Sequence, residues 1–158
     1  MMPHVVTTIA IGTLVALGAG WLWRRWRTAQ QQAKQQLAIL LFDEKLGELQ
    51  IEFLSAASAT GKPRGLRWKQ SDLGETRLFA KDLASGELIA LVGATISFEA
   101  IAGGDMEDVE AVGNLRFATA IFAYRRGKWT TDGRVVFNLE PAQALERFQD
   151  SLVPCQVG

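Results

Sequence analysis

The chain has 158 residues, with 17 basic and 17 acidic side chains, one histidine and one cysteine. The charge balance leaves no global field to attract nucleic acid, and a lone thiol excludes a disulfide framework within one chain. With His4 as the sole histidine, the rest of the chain has no His-based general base, no Ser-His-Asp set and no histidine metal site.

Val5 to Trp23 form an uncharged apolar run, followed at once by Arg24, Arg25, Trp26 and Arg27. As a helix the run is roughly 28 Å long, close to the hydrocarbon thickness of a bilayer. A cleaved leader carries its positive charge before the apolar stretch; here the charge comes after it. The expectation is therefore an uncleaved single-pass signal anchor in the lipid bilayer. By the positive-inside bias its N-terminus lies outside and the C-terminal domain is cytoplasmic. Trp21, Trp23 and Trp26 stand where an interfacial aromatic belt belongs, and Arg24, Arg25 and Arg27 are placed to meet anionic headgroups. Gly12, Ala16 and Gly20 fall four residues apart on one helix face. They read either as a groove for self-association or docking on a membrane complex, or as the ordinary abundance of small residues in spans.

Residues 28–36 are polar and glutamine-rich, a helical stalk with no apolar face of its own. Periodicity then begins: Ile39, Phe42, Leu46, Leu49, Phe53 and Ala56 predict an amphipathic helix over 37–57, with Glu44, Lys45, Glu48 and Glu52 turned away. Leu40, Leu41, Ile51 and Leu54 widen the face. A wide face suits packing on a sheet better than a narrow coiled-coil seam. Thr60-Gly61-Lys62-Pro63 breaks the helix and lacks the residues of a phosphate-binding loop.

Strand patterns follow. Leu66, Trp68 and Gln70 alternate with charged neighbours, Ser71 to Gly74 reads as a turn, and a second run spans Thr76 to Lys81. After a Ser85-Gly86 turn, Leu88 to Ile101 predicts a central strand with Leu88, Ala90, Val92, Ala94, Ile96 and Phe98 on one face. Leu115 to Tyr124 and Lys128 to Leu139 add strands joined by a tight turn at Arg126-Gly127, and Asp132-Gly133 marks a bulge or second turn. Pro141 starts a short helix carrying Ala142, Leu145, Phe148 and Leu152, which Pro154 stops.

The expected fold class is α+β: a transmembrane helix, then an amphipathic helix on a curved antiparallel sheet of about four to five strands. This element order resembles the cystatin or NTF2-like arrangement, a likeness of fold level that implies no function. The expected divisions are an anchor with basic flank at 1–27, a stalk at 28–36, a soluble domain at 37–153 and a tail at 154–158. The tail's Cys155 fits a prenylation pattern poorly and reads as an incidental thiol.

Between the strands, Asp105, Glu107, Asp108 and Glu110 place four carboxylates in one connection. Three readings stand: a solvated acidic tip, a contact loop for a basic partner, or a site for a hard cation, whose ligand spacing it does not match. Scattered basic residues near Trp68 and Trp129 hint at a basic-aromatic patch, but alternation places both tryptophans in the core. No cofactor and no resident metal is expected, nor a catalytic set. The expected function is a membrane-tethered, non-catalytic binding or scaffolding module, with a membrane protein complex or a second copy as partner. The alternative is a small-ligand or enzymatic pocket of NTF2-like type between helix and sheet, using carboxylates such as Glu99.

Overall fold

The computed structural model describes residues 3–60 and 65–155, with side chains from Gly18 onward except Ala111. The chain forms two compact units, Met1–Leu37 and Ala38–Gly158. Helix α1 runs over Pro3–Thr60, and its first part makes up unit 1. Among the described residues no helix is long and apolar enough to cross a membrane. Most of the Val5 to Trp23 run, Gly12 and Ala16 included, lies outside the residues whose side chains are described.

Unit 2 is α+β, the 38–60 portion of α1 packed on a six-stranded antiparallel sheet. The strands are β1 (Leu66–Asp82), β2 (Leu88–Ala100), β3 (Arg116–Arg125), β4 (Lys128–Thr130), β5 (Val135–Phe137) and β6 (Leu152–Pro154). Their order is β4-β3-β2-β1-β6, with β5 also pairing β3. A short helix α2, Pro141–Arg147, precedes β6.

The helix contributes Ala38, Ile39, Phe42, Leu49, Phe53 and Ala57 to the core, the neighbours Ala38 and Ile39 followed by residues at intervals of three, four or seven on one stripe. The stripe is narrower than predicted. Leu40 and Ile51 are 71% and 75% exposed, Leu41 is exposed too, and only Leu54 of the four widening residues packs on the core. At roughly 100° per residue, Leu40 already points well away from Ile39. Leu46 is half-buried, and Ala57 rather than Ala56 is the fully buried residue at the stripe's end.

Strand β2 alternates as expected: Leu88, Ala90, Val92, Ala94, Ile96 and Phe98 all join the core under the helix. Ile89 and Leu91, on its other face, form a second cluster with Ala80, Ala123, Ala144 and Leu152. The first half of β2 is thus apolar on both faces, because α2 and the following segment cover the reverse side.

Three expectations about the strands are corrected. Ser71 to Gly74 is not a turn: β1 continues through it, Asp72 pairing Thr95 and Leu73 pairing Ala94. Irregularities between Trp68 and Gln70 and between Leu73 and Arg77 absorb the extra residues as bulges. The predicted C-terminal helix is shorter, ending at Arg147, and Leu152 lies in a sixth strand. There Leu152, Val153 and Pro154 pair with Asp82, Lys81 and Ala80, and Cys155 N–H donates to Phe79 O at 2.8 Å. The sheet therefore has six strands rather than four or five.

Turn chemistry explains the connections. Arg126 and Gly127 both have positive φ, 52° and 83°, the requirement of a two-residue hairpin turn between β3 and β4. At the β1–β2 connection, Asp82 Oδ1 accepts from Ala84 N–H (3.0 Å), Ser85 N–H (2.7 Å) and the Ser85 hydroxyl (2.9 Å). The backbone and side-chain bonds from Ser85, chiefly, hold the Asp82 carboxyl below its usual range. A depressed carboxylate contributes stability above its unfolded pKa of about 4, and that contribution is lost as pH falls through the lower folded value. Asp82→Ala is therefore expected to cost about 1 kcal/mol at pH 7. The gap between the two proteins should narrow as the pH drops below about 4. Urea unfolding across pH checks this; a pH-independent gap would show that ionisation of Asp82 plays no part.

Candidate functional site

The acidic connection leaves β2 at Ile101, whose N–H donates to Gly65 O at 2.9 Å. Successive short bonds then coil it: Gly104 N–H to Ile101 O (2.9 Å), Glu107 N–H to Gly104 O (3.1 Å) and Val112 N–H to Val109 O (3.0 Å). Met106 packs against the core and sits so close to Gly65 that a Cβ there would lie 3.0 Å from Met106 Cγ. Val112, in the 3-10 turn Glu110–Gly113, is buried. Two apolar residues thus pin the loop, while Asp105, Glu107, Asp108 and Glu110 are all exposed. Glu107 Oε2 accepts from Gly103 N–H at 2.8 Å, which fixes one carboxylate at the loop's entrance. Among the described residues no group of three or more His, Cys, Asp or Glu side chains is placed to hold a metal ion. The cation reading of this loop therefore gains no donor set.

Three of the arginines are taken up in ion pairs. Arg67 pairs with Glu99 at 2.7 Å, Arg125 with Glu87 at 2.9 Å and Asp132 at 3.1 Å, and Arg77 with Asp43. The bond from Glu87, then that from Asp132, raises the Arg125 pKa further. Trp68 and Trp129 are both buried. Lys62 and Arg64 lie outside the described residues.

Between helix and sheet the space is filled by rings. Phe42 makes edge contacts with Phe79, Phe122 and Trp129 at centroid distances of 5.6, 5.7 and 4.8 Å, and Phe53 meets Trp68 at 6.2 Å. Glu99, offered by the sequence as a pocket carboxylate, alternates with the core residue Phe98 and points to the opposite sheet face, where Arg67 holds it.

A groove of about 400 Å³ does open at one side of this interior, where α1 meets the β3–β4 hairpin. Leu41, Leu49, Tyr124 and Trp129 form its apolar walls, and Lys45, Glu48, Glu52 and Lys128 its polar ones. Glu48 accepts from Lys45 Nζ at 3.1 Å, and Glu52 accepts from the Thr130 hydroxyl at 2.9 Å. Trp129 is held by its Nε1–H, which donates to Ala38 O at 2.7 Å. The sequence turns Glu48 and Glu52 toward solvent, and both are indeed exposed, on the open rim of this groove.

In unit 1, Trp21, Trp23 and Trp26 are 60%, 54% and 61% exposed. The Arg25 guanidinium lies over the Trp21 ring at 5.3 Å, and that of Arg27 over Trp23 at 3.9 Å. A Cβ on Gly20 would meet nothing within 4 Å, so that position presents a bare backbone surface. At the other end of the chain, Cys155 packs against the core of unit 2, and burial pushes its thiol pKa up, the reverse of what nucleophilic activation needs.

No protein-family model, no curated protein and no solved structure matches this chain.

Proposed function

We propose that the chain is a membrane-tethered, non-catalytic binding or scaffolding module that serves as an accessory subunit of a larger membrane complex. The acidic loop is the observation that carries this reading. Its four exposed carboxylates sit on a connection pinned by Met106 and Val112, so a concentrated negative potential is held at one place on the fold. Such a patch speeds and orients encounter with a basic surface. The tether is residues 5–23, with the N-terminus outside and the C-terminal domain cytoplasmic. Helical backbone from Pro3 onward supports it, since a span must satisfy its peptide hydrogen bonds internally. Gly12, Ala16 and Gly20 supply the face for a second copy or a partner helix.

The test replaces Asp105, Glu107, Asp108 and Glu110 together by Asn or Gln. The variant is expected to stay folded, because an exposed acidic tip contributes little to stability. Partners recovered from membranes in mild detergent should be lost from the variant, and should leave the parent as salt rises. Retention of every partner by the variant at low salt would sink the contact-loop reading.

The groove beside Trp129 favours a second reading, a small-ligand site of NTF2-like type. Its apolar walls and few polar groups are the usual composition of ligand pockets. A ligand whose binding Glu52→Gln abolishes, and which the loop variant still binds, would transfer the function to the groove.

A further inference from the structure

The aromatic and cationic groups of unit 1 carry a more specific assignment, one that rests on the membrane-tethered reading above. Three tryptophans are each more than half exposed within a single turn and a half of helix. Indole rings in water are costly, and their preferred place is the boundary between headgroups and acyl chains. Four cationic residues, Arg24, Arg25, Arg27 and Lys34, share this stretch, and the sequence has no acidic residue before Asp43. The charge lacks a local counterion.

Arginine geometry adds what charge alone does not. Arg25 and Arg27 each lay the guanidinium over the ring four residues earlier, Trp21 and Trp23. Side chains on a helix lean toward its N-terminus, so both cations are drawn back toward the level of the tryptophans. A guanidinium drawn over a ring by cation–π attraction still has five N–H donors to offer to other partners. A guanidinium held over an interfacial indole is suited to bidentate capture of phosphate oxygens.

We propose that residues 21–34 form a headgroup-reading collar that selects acidic phospholipids from the bilayer in which the chain is tethered. The positive excess favours a lipid with net negative charge over a zwitterionic one, and the fork takes its phosphate.

The experiment uses the full chain mixed with vesicles of neutral phosphatidylcholine or of phosphatidylcholine with phosphatidylglycerol. Flotation reports attachment, and quenching by brominated lipid reports which headgroup surrounds the collar. Trp68 and Trp129 are buried in unit 2 and add an unquenched background. The expected result is flotation with both vesicles and stronger quenching by brominated phosphatidylglycerol than by brominated phosphatidylcholine at equal mole fraction. Each arginine replaced by glutamine should lower that preference by up to about fivefold. Flotation with equal quenching by the two lipids would overturn the collar and leave the tether standing. Preference unchanged in the triple variant Arg24→Gln, Arg25→Gln, Arg27→Gln would also overturn it. Flotation with neither vesicle would overturn the tether and the collar together.

Discussion

Phe42→Ala is expected to destabilise the domain by about 3–5 kcal/mol, the usual cost of removing a large ring from a close-packed interior. Phe42 is 0% exposed and lies between Phe79, Phe122 and Trp129, so its loss leaves a void bordered by three rings. Those rings come from β1, β3 and β4 and cannot all close on the gap without disturbing strand pairing. Glu48→Ala, about one and two-thirds turns further along the same helix, should be nearly neutral, because its ion pair with Lys45 is exposed. Leu46→Ala should fall between the two, since that side chain is only half-buried. Equilibrium unfolding of the full chain measures all three. Equal shifts would refute the packing of this helix face.

Gly133→Ala is expected to cost a similar amount, roughly 3–5 kcal/mol, for a different reason. Gly133 has φ of 72° and lies directly against the backbone of α1. A Cβ there would overlap Ala57 N and Ala56 C, and would come within 2.7 Å of Ala57 Cα. Backbone cannot rotate aside as a side chain can. The β4–β5 connection would have to lift away from the helix, exposing the buried Ala57. Gly127→Ala is the control: its φ is 83°, yet nothing lies within 4 Å of the added carbon. It should cost only the left-handed strain, about 1–2 kcal/mol. If the two glycine variants melt alike, the close approach at Gly133 has no energetic weight.

Much of the fold was legible because it depends on alternation and turn chemistry, which are local. The run from Leu88 to Phe98 announces a strand, and Arg126-Gly127 announces a hairpin, whatever surrounds them. What failed was non-local. Ser71 to Gly74 has turn residues, yet Asp72 and Leu73 lie in the β1–β2 ladder, because pairing with Thr95 and Ala94 outweighs turn preference. Leu152 fits a helical period after Pro141, yet the edge of β1 captures it as a strand. No pattern in residues 141–154 reveals that an unpaired edge waits at Ala80 to Asp82.

The candidate sites divide the same way. The acidic loop is visible as composition, but its fixed base depends on Met106 reaching Gly65 and the core, a contact that charge counting does not contain. Glu99 is a candidate pocket carboxylate by residue type alone; in the fold it pairs with Arg67 on the sheet face away from the core. The groove at Trp129 needed two elements far apart in sequence, Leu41 to Glu52 and Tyr124 to Trp129, and no single window shows it.

The two borders of the sheet differ in a way that bears on how the protein avoids sticking to itself. One border is doubled by β4 and β5; at the other, β6 covers only Ala80 to Asp82, and the rest of the outer edge of the long strand β1 has no strand neighbour among the described residues. A bare strand of that length is a template for runaway cross-β growth. Here the template is broken. The bulges leave Gln70 to Leu73 as the uninterrupted ladder between them, and Arg67, Lys69, Asp72 and Glu75 add charges along the rim. An intruding strand would lose register within a few residues and meet charges of both signs. The irregularity that disguised β1 as two short strands is thus a safeguard against edge-to-edge pairing between copies of the chain.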